Sequence, residues 1–486
     1  MSKKTDVLII GGGITGLTVA RGLSKYDVDV TLLEREVDVG WGQTKASYAN
    51  RHPGVRWTPG TLAQQMIAEA NQMMDQLIED LDIEFRRSGE VVLAFDNDEL
   101  ESLKTMKHQG DYIHVEGLEF IGPDEIRRME PNVNSKAIGA LYMPTAGVFN
   151  PFEQVLALYE NARDNGVDIL IGTEVTGIIP EKGKFIVETN RDEIQARYIV
   201  NAAGLFAEKV ANMAETDGFK INYATKATSL ILDPLLGGIV RHIVSGLHDP
   251  NRFTSYSLVS PTFDDKILIY TKFPEPAKGI EDRAVAKRPF NLALENAKVL
   301  VPDVDFENHI IASFSGLTAR NDRGDFIIEA SKKFPTFVNV ALPPPGVTCS
   351  PAVGKRVVEV LKDNGLALRE KTNFNPYRKG IKSLRRSSPE QIRELVRKDP
   401  RYGRVVCHCE KVSEGEIVEA IKRGASTLDG VKFRTRACMG RCQGNYCGPE
   451  VAGILARELD QPFVSITKKG RRSNYIPPKD HDQYGQ

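Results

Sequence analysis

The chain predicts an α/β fold: a Rossmann-like domain of buried parallel strands and helices, followed by a small helical C-terminal domain. Three observations predict it. Near the N-terminus a glycine-rich turn stands between an apolar run and a helical pattern. Five of the six cysteines crowd into the last fifth of the chain, among short apolar helical runs. A length of 486 residues, 41% of them apolar, suits two or three domains with a substantial core.

A net charge of −1 supplies no overall attraction toward nucleic acid or an anionic membrane. No stretch approaches the roughly 20 consecutive apolar residues that cross a bilayer, so no transmembrane segment is expected. The start, MSKKTDV, has no apolar region of secretory type. Clustered cysteines without a secretion signal point to metal binding rather than disulfides, and to a reducing cytoplasm.

Asp6 to Ile10 is a short apolar run of the kind that forms a fully buried parallel strand. Gly11-Gly12-Gly13-Ile14-Thr15-Gly16 then fits G-x-G-x-x-G, and a helical pattern continues through Leu17, Ala20 and Leu23. A second strand, Val28 to Leu33, ends at Glu34. In this order the pieces make a dinucleotide-binding turn. The glycines let the backbone approach a pyrophosphate at the positive end of the helix. Glu34 is placed to accept hydrogen bonds from an adenosine ribose. FAD and NAD both satisfy this fingerprint.

Two later segments bear on that choice. One is Ala196 to Ala207, ARYIVNAAGLFA, preceded by the strand-like Gly172-Thr173-Glu174-Val175. The other is Pro343 to Ala352, PPPGVTCSPA, where Ser350 reads as an N-cap and Pro351 as a first-turn residue. The helix would run through Val353, Val357, Val360 and Leu361. Its N-terminus would face a flavin ring and stabilise negative charge on the reduced form.

The set GGGITG…LLERE, IVNAAGLFA and PPPGVTCSPAVG resembles the D-amino-acid-oxidase-like superfamily of FAD enzymes. Within it the nearest likeness is to the branch of glycerol-3-phosphate dehydrogenases and L-2-hydroxyglutarate oxidases, over residues 1 to about 370. The resemblance implies a discontinuous FAD-binding domain with an inserted antiparallel-sheet α+β substrate domain. It assigns FAD contacts to Gly11, Gly13, Thr15 and Gly16 of the turn, and to Glu34 and Arg35 after the second strand. Further contacts fall on Thr44 and Lys45, on Val175, on Ala203 and Gly204, and on Gly346, Val347 and Thr348.

Toward the C-terminus, Cys407-His408-Cys409 is a C-x-C pair, and Cys442 with Cys447 makes a C-x4-C pair. Ser413-Glu414-Gly415-Glu416 reads as a capping box before the helical run Ile417, Val418, Ala420, Ile421, which Gly424 ends. Gly448-Pro449-Glu450 opens another helix. The four thiols are thus expected on loops at helix ends, where backbone N–H groups can reach cluster sulfurs. Four thiolates suit an iron–sulfur cluster. Zinc takes the same ligands, although its usual signature is two C-x2–4-C pairs. VVCHCEKVSEGEIVEAI and TLDGVKFRTRACMGRCQGNYC resemble the bacterioferritin-associated-ferredoxin-like 2Fe–2S domain often appended to dehydrogenases of this branch. Its ligands would be Cys407, Cys409, Cys442 and Cys447. Cys438, where related sequences are expected to carry glycine, is either a spare thiol or an exchange partner of Cys442. The C-x4-C spacing favours Cys442 as the ligand.

The expected organisation is an oxidoreductase domain over 1–370, a basic linker over 371–400, a 2Fe–2S domain over 401–462 and a polar tail over 463–486. The linker reads as a solvated stretch or as a docking segment for an acidic partner subunit.

For the substrate, Gln43 to Ala63 resembles the loop that wraps the flavin in 2-hydroxyglutarate oxidases, with His52 on the family histidine. His52 is therefore a candidate catalytic residue; its alternative is a hydrogen-bonded structural role. Lys45, Arg51 and Arg56 nearby would make the pocket cationic. The helix after this loop should bury Leu62, Met66, Ala70, Met73, Leu77 and Leu81. Arg320, after Ser315-Gly316-Leu317-Thr318-Ala319, is a candidate to fork onto a substrate carboxylate or phosphate. Tyr48-Ala49-Asn50-Arg51, Lys226-Ala227-Thr228 and Ile269-Tyr270-Thr271 depart from the family's segments, which leaves substrate identity open.

The expectation is an FAD-dependent dehydrogenase of a small anionic hydroxy compound, foremost glycerol 3-phosphate. Its electrons would pass through the cluster to a partner flavoprotein or acceptor subunit, with peripheral membrane contact only through that partner. The alternatives are oxidation of a 2-hydroxy acid, amine or imino acid, or an electron-transfer subunit with no small substrate of its own.

Overall fold

The computed structural model describes residues 3–216, 218–222, 226–247, 256–273 and 277–477; the end of the expected polar tail lies outside them. The chain divides into two compact units. One comprises Met1–Leu33 and Gly40–Arg378, the other Glu34–Val39 and Lys379–Gln486.

In the first unit, strand Lys3–Ile10 runs parallel between Val30–Glu34 and Ile194–Asn201, and Phe337–Ala341 continues the parallel set. Val7, Leu8 and Ile9 are wholly buried, as an apolar run covered on both faces must be. Val175–Glu181 and Lys184–Thr189 add an antiparallel edge. Helices Ile14–Leu23 and Gly346–Asp363 cross closely at Gly354, where a Cβ would stand 2.9 Å from the Thr18 carbonyl oxygen.

That second helix starts earlier than the sequence suggests. It begins at Gly346 with Pro345 as N-cap, so Ser350 is not a cap and Pro351 lies inside. The proline cannot donate to the Val347 carbonyl. Gln154 Nε2, from helix Pro151–Asp164, donates to that carbonyl instead at 3.4 Å and to Ser350 Oγ at 3.1 Å. A distant side chain thus repairs the defect that a local reading takes for a helix start.

The substrate-domain sheet has eight strands in the spatial order Ile310–Leu317, Lys226–Leu232, Ile267–Phe273, Tyr256–Pro261, Ile243–Leu247, Glu90–Ala94, Gly139–Met143 and Glu119–Ile121. Its pairings are antiparallel except Ile243–Leu247 beside Glu90–Ala94, which are parallel and far apart in the chain. One face, with Leu230, Leu232, Val259, Ile267 and Ile269, shares a core with Ala293, Leu294 and Ala297 of helix Lys287–Leu300. The opposite face carries Leu258, Leu268 and Tyr270. Side chains alternate along a strand, so Leu268, Tyr270 and Lys272 share that face.

Helix Leu62–Asp80 is capped by Thr61, whose hydroxyl accepts from the Gln64 N–H, and by Asp325, which accepts from the Leu62 and Ala63 N–H groups. Its buried stripe is Met66, Ala70, Met74 and Leu77, continuing to Leu81. Met74 replaces the expected Met73, and Leu62 is only half-buried.

In the second unit, helices Glu414–Lys422, Leu428–Thr435 and Gly448–Glu458 surround Ile417, Val418, Val431, Val451 and Leu455. The Ser413–Glu416 capping box forms as read, and Gly424 takes a positive φ just beyond the helix. Asp38, in the short N-terminal piece, meets Arg434 through two hydrogen bonds of 2.5 and 3.0 Å. The stretch read as a linker contains a helix, Pro389–Lys398, with its own capping box and no buried residue.

Candidate functional site

The nucleotide-binding pieces converge in the first unit. Gly11 has φ +110°, and a Cβ there would lie 2.6 Å from the Ala202 carbonyl oxygen, which brings the turn against Ala203 and Gly204. A Cβ on Gly16 would collide with the Gly11 carbonyl. The Ile14 N–H donates to Thr44 Oγ1 at 3.1 Å, tying the loop of Thr44 and Lys45 to the glycine turn. Thr15 lies in the first turn of the helix. Lys45 Nζ stands 4.5 Å from the centre of the Trp41 ring.

Three other expected contacts are less directly placed. Glu34 ends its strand and accepts from the Glu36 N–H at 2.8 Å. Arg35 pairs with Glu36. Val175 packs in the core with Leu8, Ile10 and Leu33.

At the other end of this region, Thr348 Oγ1 donates to the Asn50 carbonyl at 3.2 Å and accepts from the His52 N–H at 3.3 Å. The segment Gly346, Val347 and Thr348 is thereby joined to the His52 loop. Asn50 is buried, and neither atom of its amide has a partner among the described residues. Such orphaned valences are rare in a finished interior and suit a polar group supplied by a ligand. The orphaned Asn50 amide and the close backbone approach that Gly11 and Gly16 permit both fit FAD.

His52 is fixed from several sides. Its Nε2 lies 2.8 Å from Tyr48 Oη, and its ring is 5.2 Å from that of Trp57. Asn71 donates to the His52 and Pro53 carbonyls, and Arg51 in turn holds Asn71 and Asp75. Burial lowers the His52 pKa to about 4, so the imidazole is neutral at physiological pH. Burial likewise pushes the Tyr48 phenol well up, keeping its proton on.

The local cations are arranged differently from expectation. Arg51 is spent on Asp75, and Arg56 on Glu90 at 3.0 Å, with Tyr256 and Ser245 also donating to Glu90. Neither Arg51 nor Arg56 supplies uncompensated charge. The cationic pair is instead Lys272 with Arg320. Tyr48 stacks on Tyr270 at 4.0 Å between ring centres, and the Arg320 charge acts on both Tyr270 and Lys272. Burial and then Arg320 lower the Lys272 pKa to about 8. Tyr48 thus meets the neutral His52 imidazole and Tyr270, and the Arg320 charge acts at Tyr270 and Lys272. Alternation in Leu268–Tyr270–Lys272 places Lys272 on this face, although no motif singles it out.

The second unit holds five thiols, and all six cysteines of the chain are free. Cys409 and Cys442 form an outer pair, 3.9 Å between sulfurs. Cys407, Cys447 and Cys438 lie deeper. Cys407 ends strand Val405–Cys407 rather than lying on a loop, and Cys447 is the N-cap of Gly448–Glu458. Backbone N–H groups point at the sulfurs: Tyr446, Gly444 and Asn445 at Cys442, Glu410 and Cys438 at Cys407, Cys442 at Cys409. The Tyr446 N–H leads in lowering the Cys442 pKa. Among the described residues no three His, Cys, Asp or Glu side chains converge as one metal ion requires. Thiols divided into an outer pair and an inner group, under converging N–H donors, fit a two-iron cluster better than zinc.

Comparison with known proteins agrees with both readings. Residues 6–360 match the family described as FAD dependent oxidoreductase, and residues 405–457 the BFD-like 2Fe-2S binding domain. A glycerol 3-phosphate dehydrogenase of Caloramator mitchellensis is 39% identical, over 97% of this chain and 98% of its own. A subunit of the anaerobic glycerol-3-phosphate dehydrogenase of Escherichia coli is 26% identical, over 94% and 89%. The solved L-alpha-glycerophosphate oxidase of Mycoplasma pneumoniae superimposes with a TM-score of 0.71 at 25% identity, over 77% of this chain and 98% of that one. Among the described residues no helix is long and apolar enough to cross a membrane.

Proposed function

The chain belongs to the FAD dependent oxidoreductase family, and on that premise we propose that it oxidises glycerol 3-phosphate to dihydroxyacetone phosphate and passes the electrons to a partner protein. It is an FAD-dependent dehydrogenase with a 2Fe–2S cluster. The observation that carries the substrate assignment is the nearly full-length match to the Caloramator glycerol 3-phosphate dehydrogenase. The geometry around His52 supports it.

In this reading Lys272 and Arg320 hold the phosphate, because two cations at one end of a pocket select a dianion over a neutral polyol. His52, neutral by burial, takes the proton of the substrate's C2 hydroxyl as the carbon is oxidised. Tyr48 at Nε2 and Asn71 at the backbone fix the ring. When bound, FAD would supply the acceptor for the C2 hydride, and the cluster a one-electron relay. Gly11, Gly13, Thr15, Gly16, Thr44, Lys45, Ala203, Gly204, Gly346, Val347 and Thr348 would hold FAD, with Glu34, Arg35 and Val175 contributing at its nucleotide end. Cys407, Cys409, Cys442 and Cys447 would hold the cluster. A built-in cluster favours a protein acceptor over oxygen, since oxygen needs no relay. The Escherichia coli relative is one component of a larger dehydrogenase, which fits a second, electron-accepting component as the partner here. We place the protein in the cytoplasm.

Anaerobic stopped-flow absorbance tests this directly. Glycerol 3-phosphate should bleach the flavin bands, and the cluster bands should follow. Bleaching by a 2-hydroxy acid or amine but not by glycerol 3-phosphate would overturn the substrate; bleaching only by a partner protein would overturn the dehydrogenase role.

A further inference from the structure

We propose that Cys438 is a reserve ligand of the inner iron, able to stand in for Cys447 and not for Cys442. The inference rests on the 2Fe–2S reading of this unit and concerns which of its five thiols can be exchanged.

Cys438 Sγ lies 3.5 Å from Cys447 Sγ, whereas Cys442 pairs with Cys409 on the outer side. Cys438 is 8% exposed, Cys447 3% and Cys407 1%, so these three form the inner group. The backbone N–H of Cys438 points at the sulfurs of both Cys407 and Cys447. The residue therefore already belongs to the wall of the inner site, through its main chain as well as its thiol. The sequence left Cys438 as either a spare thiol or an exchange partner of Cys442; the geometry points to exchange with Cys447.

Two features set Cys438 apart from a cysteine that merely fills a core. Its φ is +69°, a left-handed conformation that favours glycine and that a side chain occupies at a cost. Opposite it stands Gly444, where a Cβ would lie 2.9 Å from Cys438 Cβ and 3.1 Å from its sulfur. The thiol thus occupies a strained position whose room depends on a second glycine. A two-iron cluster takes two thiolates per iron. With three sulfurs in the inner group and two in the outer pair, the surplus thiol is on the inner side. Exchange needs no electrons: one thiolate leaves the iron with a proton, and the other binds after giving its proton up.

The test uses the full-length chain and measures iron and acid-labile sulfide per FAD, with visible dichroism and the EPR spectrum after dithionite. The variants are Cys447→Ala, Cys438→Gly, both together, and Cys442→Ala. Glycine suits the left-handed backbone, so the double variant removes the thiol without adding strain. Cys438→Gly alone should keep its cluster. Cys447→Ala should keep at least about fivefold more iron than the double variant, with a shifted EPR spectrum. Cys442→Ala should lose its cluster. The proposal is overturned if Cys447→Ala is as empty as the double variant while far-ultraviolet dichroism and FAD content match the parent. It is also overturned if Cys442→Ala keeps its iron until Cys438→Gly is added. If Cys447→Ala loses its helical dichroism, Cys447→Ser decides by the same comparison. A parent chain without iron would refute the cluster itself, a different outcome from either.

Discussion

His52 shows how far a single residue was legible. The motif match put a histidine beside the flavin-binding segments, and the structure brings its backbone within hydrogen-bond reach of Thr348. Its protonation state came from elsewhere, from burial among Tyr48, Trp57 and the Arg56–Glu90 pair. Removing a proton acceptor typically costs about 10²- to 10⁴-fold in rate. His52→Ala should lower the rate of flavin reduction by that range in stopped flow while FAD content holds, because the His52 backbone N–H remains. Lys272 supplies a pH signature. Its folded pKa of about 8 lies below the usual lysine value, so the cation proposed to bind phosphate is present below that pH and is lost as pH rises through it. KM for glycerol 3-phosphate should therefore climb above roughly pH 8, with kcat changing less. Lys272→Arg, whose guanidinium stays charged, should move that limb upward; an unmoved limb would remove Lys272 from the site.

At the scale of elements, the legible parts were those written in consecutive residues. The glycine turn between buried strands and the Ser413–Glu416 capping box formed where they were read. The start of helix Gly346–Asp363 did not, because Ser350-Pro351 carries a local start signal that Gln154 overrides from another helix. No window of sequence around Pro351 contains that information. Met74 replaced Met73 for a related reason: a real helix advances by 3.6 residues per turn, and its stripe drifts with the partner it meets. The repair at Pro351 has an energetic consequence. Gln154→Leu leaves the Val347 carbonyl and Ser350 hydroxyl without that partner inside the protein, at about 1–3 kcal/mol for such an unmet group. The expected result is a lower thermal midpoint and weaker FAD retention on dilution; an unchanged midpoint would show that water replaces the amide.

At the scale of the molecule, two cofactor regions were visible as two motif clusters, but the place of one short N-terminal piece was not. Glu34–Val39 groups with the C-terminal unit, where Asp38 meets Arg434 across nearly the whole sequence. A pairing so distant leaves no periodicity to read. The two units have separable tasks, and this separability can be tested. As proposed, substrate oxidation uses side chains of the first unit alone, His52, Lys272 and Arg320, whereas the five clustered thiols belong to the second. Loss of the cluster should then leave the first half-reaction intact and remove the route onward. In Cys442→Ala, glycerol 3-phosphate should bleach the flavin at an unchanged rate with FAD still bound. Steady-state turnover with the proposed protein acceptor should nevertheless collapse. The measurement is the ratio of these two rates in one preparation. If both fall together, the cluster domain also supports the substrate site; if neither falls, electrons leave directly from the flavin and the cluster is not on their path.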